Sequence, residues 1–135
     1  MVSRLNPYLS FDGQARQAME LYHRVFGGDL DVRAFGDFGQ NDPALKDRVM
    51  HAMLVTDSGF TLMASDVAPG MPARSAGNVT CSLSGEDGAE LRRYWDGLSE
   101  GGTVQMPLEK QVWGDEFGMC TDRYGIEWMV NINAG

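Results

Sequence analysis

Asn6-Pro7-Tyr8-Leu9-Ser10-Phe11-Asp12-Gly13 decides the fold, because a weakened copy returns as Asn78-Val79-Thr80-Cys81-Ser82-Leu83-Ser84-Gly85. Each copy alternates in polarity as a half-buried strand does. Asn6, Tyr8 and Ser10 share one face, Pro7, Leu9 and Phe11 the other, and Asn78, Thr80 and Ser82 repeat the polar face. The same offset carries Met19, Tyr22 and Phe26 onto Leu91, Tyr94 and Leu98, apolar positions at helical spacing in both copies. Further on, Gly59-Phe60-Thr61-Leu62-Met63-Ala64-Ser65 aligns with Gly125-Ile126-Glu127-Trp128-Met129-Val130-Asn131 at a shorter offset, as if the second copy had lost residues from a loop. One module is written twice, and a repeat of this kind takes precedence over any local signal.

Outward from the repeat, Asp12-Gly13 reads as a turn and Ala15 to Phe26 as an amphipathic helix, with Ala18, Met19, Tyr22, Val25 and Phe26 inward and Gly27-Gly28 as its stop. Leu30 to Phe35 is a short strand, Gly36 to Arg48 a polar loop, and Val49 to Thr56 with Phe60 to Ser65 a hairpin around Asp57-Ser58-Gly59. The second copy repeats the order: a strand from Asn78, a helix from about Glu86 to Leu98 stopped near Gly101-Gly102, and a strand near Thr103 to Gln105. Met106 to Gly114 then reads as an irregular loop, and Phe117 to Asp122 with Gly125 to Ile132 as a closing hairpin. The domain plan is module 1 at about 4–66, a Pro- and Gly-rich linker at about 67–77, and module 2 at about 78–133.

A chain of 135 residues with 43% apolar and 22% charged content can build a genuine core. No leader-like or membrane-length apolar run precedes the first strand, so the cytoplasm is the expected address. Cys81 and Cys120 are expected as buried free thiols. A net charge of −8 argues against nucleic acid or an anionic membrane as partner and leaves room for a cationic ligand.

One helix covers only one face of a four-stranded sheet. Alternation puts Leu62, Ala64, Ile126, Trp128, Val130 and Ile132 under the helices, together with Met50, Ala52 and Leu54. It leaves Asn6, Tyr8, His51, Met53, Met63, Asn78, Phe117, Met119, Glu127 and Met129 to line a shared concavity. Such a site is rich in methionine, whose flexible thioether suits an adaptable apolar pocket.

Two strand, helix, three-strand modules, with Asp122-Arg123-Tyr124-Gly125 before the last strand, resemble the vicinal oxygen chelate superfamily, which includes glyoxalase I, extradiol dioxygenases and the fosfomycin and bleomycin resistance proteins. Leu5-Asn6-Pro7-Tyr8-Leu9, Val25-Phe26-Gly27-Gly28, Met50-His51-Ala52, Trp113-Gly114, Phe117-Gly118-Met119 and Trp128-Met129-Val130-Asn131 resemble its PhnB-like subfamily, which has also carried a demethylubiquinone methyltransferase label. The resemblance implies an α+β fold in which the two βαβββ modules form a cupped, mostly antiparallel sheet with helices on the outer face. It also implies a homodimer, and a divalent metal held from the first and last strands of each module. Here those places fall near Asn6, Met63, Asn78 and Met129, amides and thioethers that are poor ligands for such ions, so no metal and no cofactor is expected. Nor does a nucleotide or methyl-donor motif appear, because both glycine pairs end helices instead of opening them onto a phosphate.

His51, facing the concavity, is the candidate general base or ligand contact, with Glu127 as its possible acidic partner or as an anchor for a cation. His23 reads as a surface residue. Asp37, Trp113 and Glu116 sit at loop positions near the mouth, where Trp113 could stack on a planar or cationic ligand. Three functions compete. The favoured one is a metal-free protein that binds a cationic or aromatic small molecule. The others are a metal-dependent lyase, isomerase or dioxygenase with a non-standard site at His51 and Glu127, and a module whose main role is association.

Overall fold

In the computed structural model, which describes residues 3–67, 71 and 78–134, the repeat folds as two compact units, Met1–Ser75 and Ala76–Gly135. Unit 1 contains β1 (Tyr8–Phe11), α1 (Ala15–Phe26), β2 (Asp29–Ala34), a short 3-10 helix (Phe35–Phe38), β3 (Val49–Val55) and β4 (Thr61–Asp66). Unit 2 contains β5 (Cys81–Gly85), α2 (Gly88–Ser99), β6 (Thr103–Lys110), β7 (Glu116–Thr121) and β8 (Glu127–Ile132). The class is α+β, and each unit holds one four-stranded mixed sheet, in the orders β1-β4-β3-β2 and β5-β8-β7-β6. In each sheet the first and last strands of the module run parallel, as Tyr8 beside Met63 and Ser82 beside Met129, while the other pairs are antiparallel. The linker expected at 67–77 lies outside the described residues except for Val67 and Met71.

The core of each unit is the face its helix covers. In unit 1, Ala18, Met19, Tyr22 and Phe26 of α1 close over Leu9, Phe11, Val49, Ala52, Leu54, Leu62 and Ala64. In unit 2, Leu91, Tyr94, Trp95 and Leu98 of α2 close over Leu83, Cys120, Trp128, Val130 and Ile132. Each large side chain fully buried this way contributes about 1.5–3 kcal/mol. The glycine pairs let each helix turn back onto its sheet. A Cβ on Gly28 would stand 2.0 Å from the Val55 carbonyl oxygen, and one on Gly102 2.2 Å from that of Thr121.

Two buried carboxylates fix the backbone. Asp66 accepts from the amides of Gly13 (2.8 Å) and Ala15 (3.0 Å) at the start of α1 and from Val49 (2.8 Å) at the start of β3. It supplies what Gln14, whose side chain caps nothing, does not. Asp122 accepts from Tyr124 (2.8 Å) and Ile126 (3.1 Å) across the last hairpin and from the Trp128 indole (2.9 Å). At α2 the cap is the ordinary one, Asp87 accepting from the Glu90 amide at 3.0 Å.

Several expectations change. Asn6 and Asn78 precede their strands instead of lying in them. Met106 to Lys110 is strand, not loop: two register irregularities on this edge, around Met106, let it run on through Pro107, a residue sheets admit only at edges and bulges. His23 is half-buried, and its Nε2 bonds to the Gly28 carbonyl at 2.8 Å, so it closes the helix end and is not a free surface residue. Cys81 and Cys120 are free thiols. They flank Trp128 from the neighbouring strands, two strand spacings apart, or roughly 9–10 Å, beyond disulfide reach.

Candidate functional site

The site begins with a fault in alternation. Arg33 pairs with His51 while Ala34 pairs with Val49, so Met50 is an extra residue on β3, a bulge. Val49 (1% exposed), Ala52 and Leu54 then all face the helix, and Met50, expected there, instead lines the other face with His51 and Met53. Bulges re-aim side chains in this way.

On that face of unit 1 lies an open groove of about 480 Å³. Leu30, Met50, Met53, Val55 and the exposed Phe38 give it apolar walls, and Asp29, Asp31, Arg33 and His51 bring polar groups to it. Cross-strand pairing sets the order: Arg33 is opposite His51, Asp31 opposite Met53, and Met53 opposite Met63, which is itself beside Tyr8. The Tyr8 hydroxyl lies 3.1 Å from His51 Nδ1, with the rings 5.7 Å apart and tilted by 35°. Arg33 pairs with Asp31 at 3.2 Å, with both side chains more than half exposed, so the pair is a weak tie of about 0–1 kcal/mol.

The corresponding face of unit 2 is built differently. Met106, Met119 and Met129 form a row across β6, β7 and β8 that ends at Ser82. Glu127 accepts from the Thr80 hydroxyl at 3.4 Å, and Thr121 beside it accepts from Gln105 at 2.9 Å. Phe117 meets the exposed Trp113 edge-on at 6.2 Å. Asn131 donates to Asp115 at 3.1 Å, and with the Ala134 amide this holds the Asp115 carboxyl below its ordinary range.

Of the residues expected at one site, Tyr8, His51, Met53 and Met63 therefore come together in unit 1, and Glu127, Met119, Met129, Phe117 and Trp113 share a face of unit 2. His51 and Glu127 fall in separate units. Asp37 is occupied at the 3-10 helix, accepting from the Ala34 amide at 2.9 Å. Glu116 opens β7 and pairs with Arg92 of α2, so it is not a loop residue at a mouth. Arg33, Asp31 and Phe38 escaped the sequence reading, although the alternation Asp29-Leu30-Asp31-Val32-Arg33 already places the charged residues on one face. Of the four places where the resemblance puts a metal, Asn6 and Asn78 lie before their strands, and Tyr8 and Ser82 are what stand beside Met63 and Met129; amides, hydroxyls and thioethers do not fit a divalent ion. Among the described residues no three His, Cys, Asp or Glu side chains come together as a ligand set.

Residues 3–131 match the family model described as 3-demethylubiquinone-9 3-methyltransferase. The chain is 31% identical over 139 residues to protein YjdN of Escherichia coli (strain K12), covering 95% of this chain and 94% of that protein. Among solved structures, protein PA1353 from Pseudomonas aeruginosa is 43% identical, with 98% of each chain covered and a TM-score of 0.87. A PhnB protein from Bacillus cereus is 22% identical, over 97% of this chain and 100% of that one, with a TM-score of 0.74. A glyoxylase/bleomycin resistance protein/dioxygenase domain from Frankia sp. EAN1pec, at 14% identity and 98% coverage of both chains, shares the fold with a TM-score of 0.66.

Proposed function

The chain belongs to the family described as 3-demethylubiquinone-9 3-methyltransferase, the PhnB-like branch of the vicinal oxygen chelate superfamily, and from that premise we propose that it binds a small molecule without a metal ion. The groove on the helix-free face of unit 1 carries the reading: apolar walls for a ring, and a few polar groups to orient it. Arg33 stands against Asp29 and Asp31 in the groove, so its charge admits an aromatic ligand and does not single out a cationic one. Methyl transfer is not supported by either glycine pair, since Gly28 and Gly102 serve the close approach of helix end to sheet. The proposal includes a Met-rich site, with Met53 and Met63 in unit 1 and Met119 and Met129 in unit 2. It also includes a cytoplasmic homodimer that binds neither nucleic acid, for which −8 is the wrong charge, nor membrane; no helix among the described residues is long and apolar enough to cross one.

The test is a melting-temperature screen of metal-stripped protein against aromatic small molecules and against zinc, nickel, manganese and iron(II). A ligand at a hundredfold excess over its dissociation constant stabilises the fold by about 2.7 kcal/mol. Shifts with aromatic compounds alone, reduced by Met53→Ala, support the reading. Near-stoichiometric metal lost on His51→Ala would replace it with a metal-dependent lyase, isomerase or dioxygenase.

A further inference from the structure

At the groove His51 keeps one ring nitrogen without a protein partner among the described residues. His51 Nδ1 is engaged by Tyr8, and Nε2 has no hydrogen-bond partner among the described residues, although the ring lines the groove. Directly across from it on β2 stands Arg33. The neighbouring charges are Asp31, which holds Arg33, and Asp29, so the groove has two carboxylates, one guanidinium and one imidazole within reach of a ligand, with the Tyr8 phenol behind the imidazole.

This set discriminates among ligand charges. A strong acid arrives already ionised and meets Asp29 and Asp31. A fixed cation is drawn by Asp29 and Asp31, but it meets Arg33 and gains nothing from the imidazole. A neutral weak acid meets neither objection, and it can become an anion only where His51 and Arg33 are at hand.

Resting on the reading of unit 1's groove as a small-molecule site, we propose that its ligand is an apolar ring bearing a weakly acidic hydroxyl, and that on binding this hydroxyl gives its proton to His51 Nε2. The ligand O–H bond breaks and the N–H bond forms. The electron pair stays on the ligand oxygen, which then faces the imidazolium with Arg33 alongside. Tyr8 makes this possible as a positioning residue. In the proposed state its hydroxyl oxygen accepts from Nδ1–H, the tautomer in which Nε2 is the basic nitrogen, and the same bond persists in the imidazolium. Nothing is oxidised or reduced, and no co-reactant is needed.

The probe is 4-nitrophenol, whose phenolate and phenol forms have distinct absorption, compared with nitrobenzene, which keeps the ring and lacks the hydroxyl. Titrations are run below the pH at which free 4-nitrophenol ionises. The expected result is a saturable rise of the phenolate band and binding at least about tenfold tighter than nitrobenzene, the scale of one hydrogen bond to a charged group. His51→Gln abolishes the band. Tyr8→Phe shifts the pH at which the band appears, a change that a merely structural role would not cause, and Arg33→Gln weakens binding. Circular dichroism and melting of each variant confirm the fold. Equal binding of the two probes, a bound probe that keeps its neutral spectrum, or a band surviving in His51→Gln overturns the inference and leaves the groove as a binding site. Failure of both probes and of the whole aromatic panel overturns the small-molecule reading as well.

Discussion

At equivalent places the two units carry Ala52 and Gly118, Leu62 and Trp128, Thr56 and Asp122, His51 and Phe117. The exchanges are coupled within each unit. In unit 2 the backbone at Gly118 clears room for Trp95 of α2, whose ring would stand 2.9 Å from an added Cβ, and Asp122 satisfies the indole of Trp128. In unit 1 the turn corresponding to Asp122 is held by the smaller Thr56, whose hydroxyl accepts from the Phe60 amide at 2.9 Å, and Leu62 fills the place of the Trp128 indole. The open face reverses the contrast, since the imidazole and guanidinium stand in unit 1 where unit 2 has Phe117 and Glu109 in the pairing order. A duplicated module can therefore place an indole in the core of one copy and ionisable side chains on the open face of the other.

The largest effect that would break this comparison is at Trp128. Trp128→Ala is expected to cost about 4 kcal/mol or more, because it opens a cavity and leaves the buried Asp122 short of a donor, against about 3 kcal/mol for Leu62→Ala. Denaturant titration of both variants measures the difference, and equal costs would deny that the indole and its carboxylate weigh more in unit 2 than Leu62 does in unit 1. Next is Asp66→Ala, which removes the acceptor for three backbone amides and is expected to cost about 3 kcal/mol, with Asp66→Asn recovering part of it. Ile132 stands at the equivalent place in unit 2, so this dependence on a buried carboxylate beside the strand start belongs to unit 1 alone. Gly118→Ala pushes a methyl to 2.8 Å from Leu108 Cα and should cost about 2 kcal/mol, while the reciprocal Ala52→Gly should cost about 1 kcal/mol.

The smallest effect is in alkali. Burial, helped by the charge of Asp122, raises the Cys120 thiol from 9.0 to about 11, and Cys81 also rises. The unfolded chain therefore loses these protons first. The contribution is fully present below pH 9.0, and stability declines as pH climbs from there toward about 11. Cys120→Ala should flatten that decline in melting temperature, a dependence without a counterpart in unit 1, where both cysteines are lacking.

The fold was largely legible because its signals are local and doubled. The stripe Met19, Tyr22, Phe26 needs its copy Leu91, Tyr94, Leu98 to be convincing, and the glycines after each helix mark the same turn twice. Inward positions such as Leu62, Ala64, Trp128 and Val130 followed from alternation and are buried. What alternation could not supply was any place where its parity breaks: Met50 at the bulge, and β6 with its irregular pairing through Pro107. The groove was half legible. His51, Tyr8 and Met53 followed from facing, but Arg33 and Asp31 become site residues only through the pairing of β2 with β3, which is a long-range fact. Asp66 read as the last residue of module 1, beside the linker, and nothing in the sequence announces that its carboxylate reaches back to Gly13 and Ala15.

The extra residue at Met50 separates two kinds of change that a regular strand would tie together. In an unbroken β3, inserting or deleting a residue exchanges core for surface along its whole length, so the composition of the pocket and that of the core are inherited as one pattern. With the irregularity already confined between Val49 and His51, a shift of that single kink would present different side chains to a ligand while Ala52 and Leu54 keep their places. The open face can then change its side chains without first rebuilding what holds the unit folded.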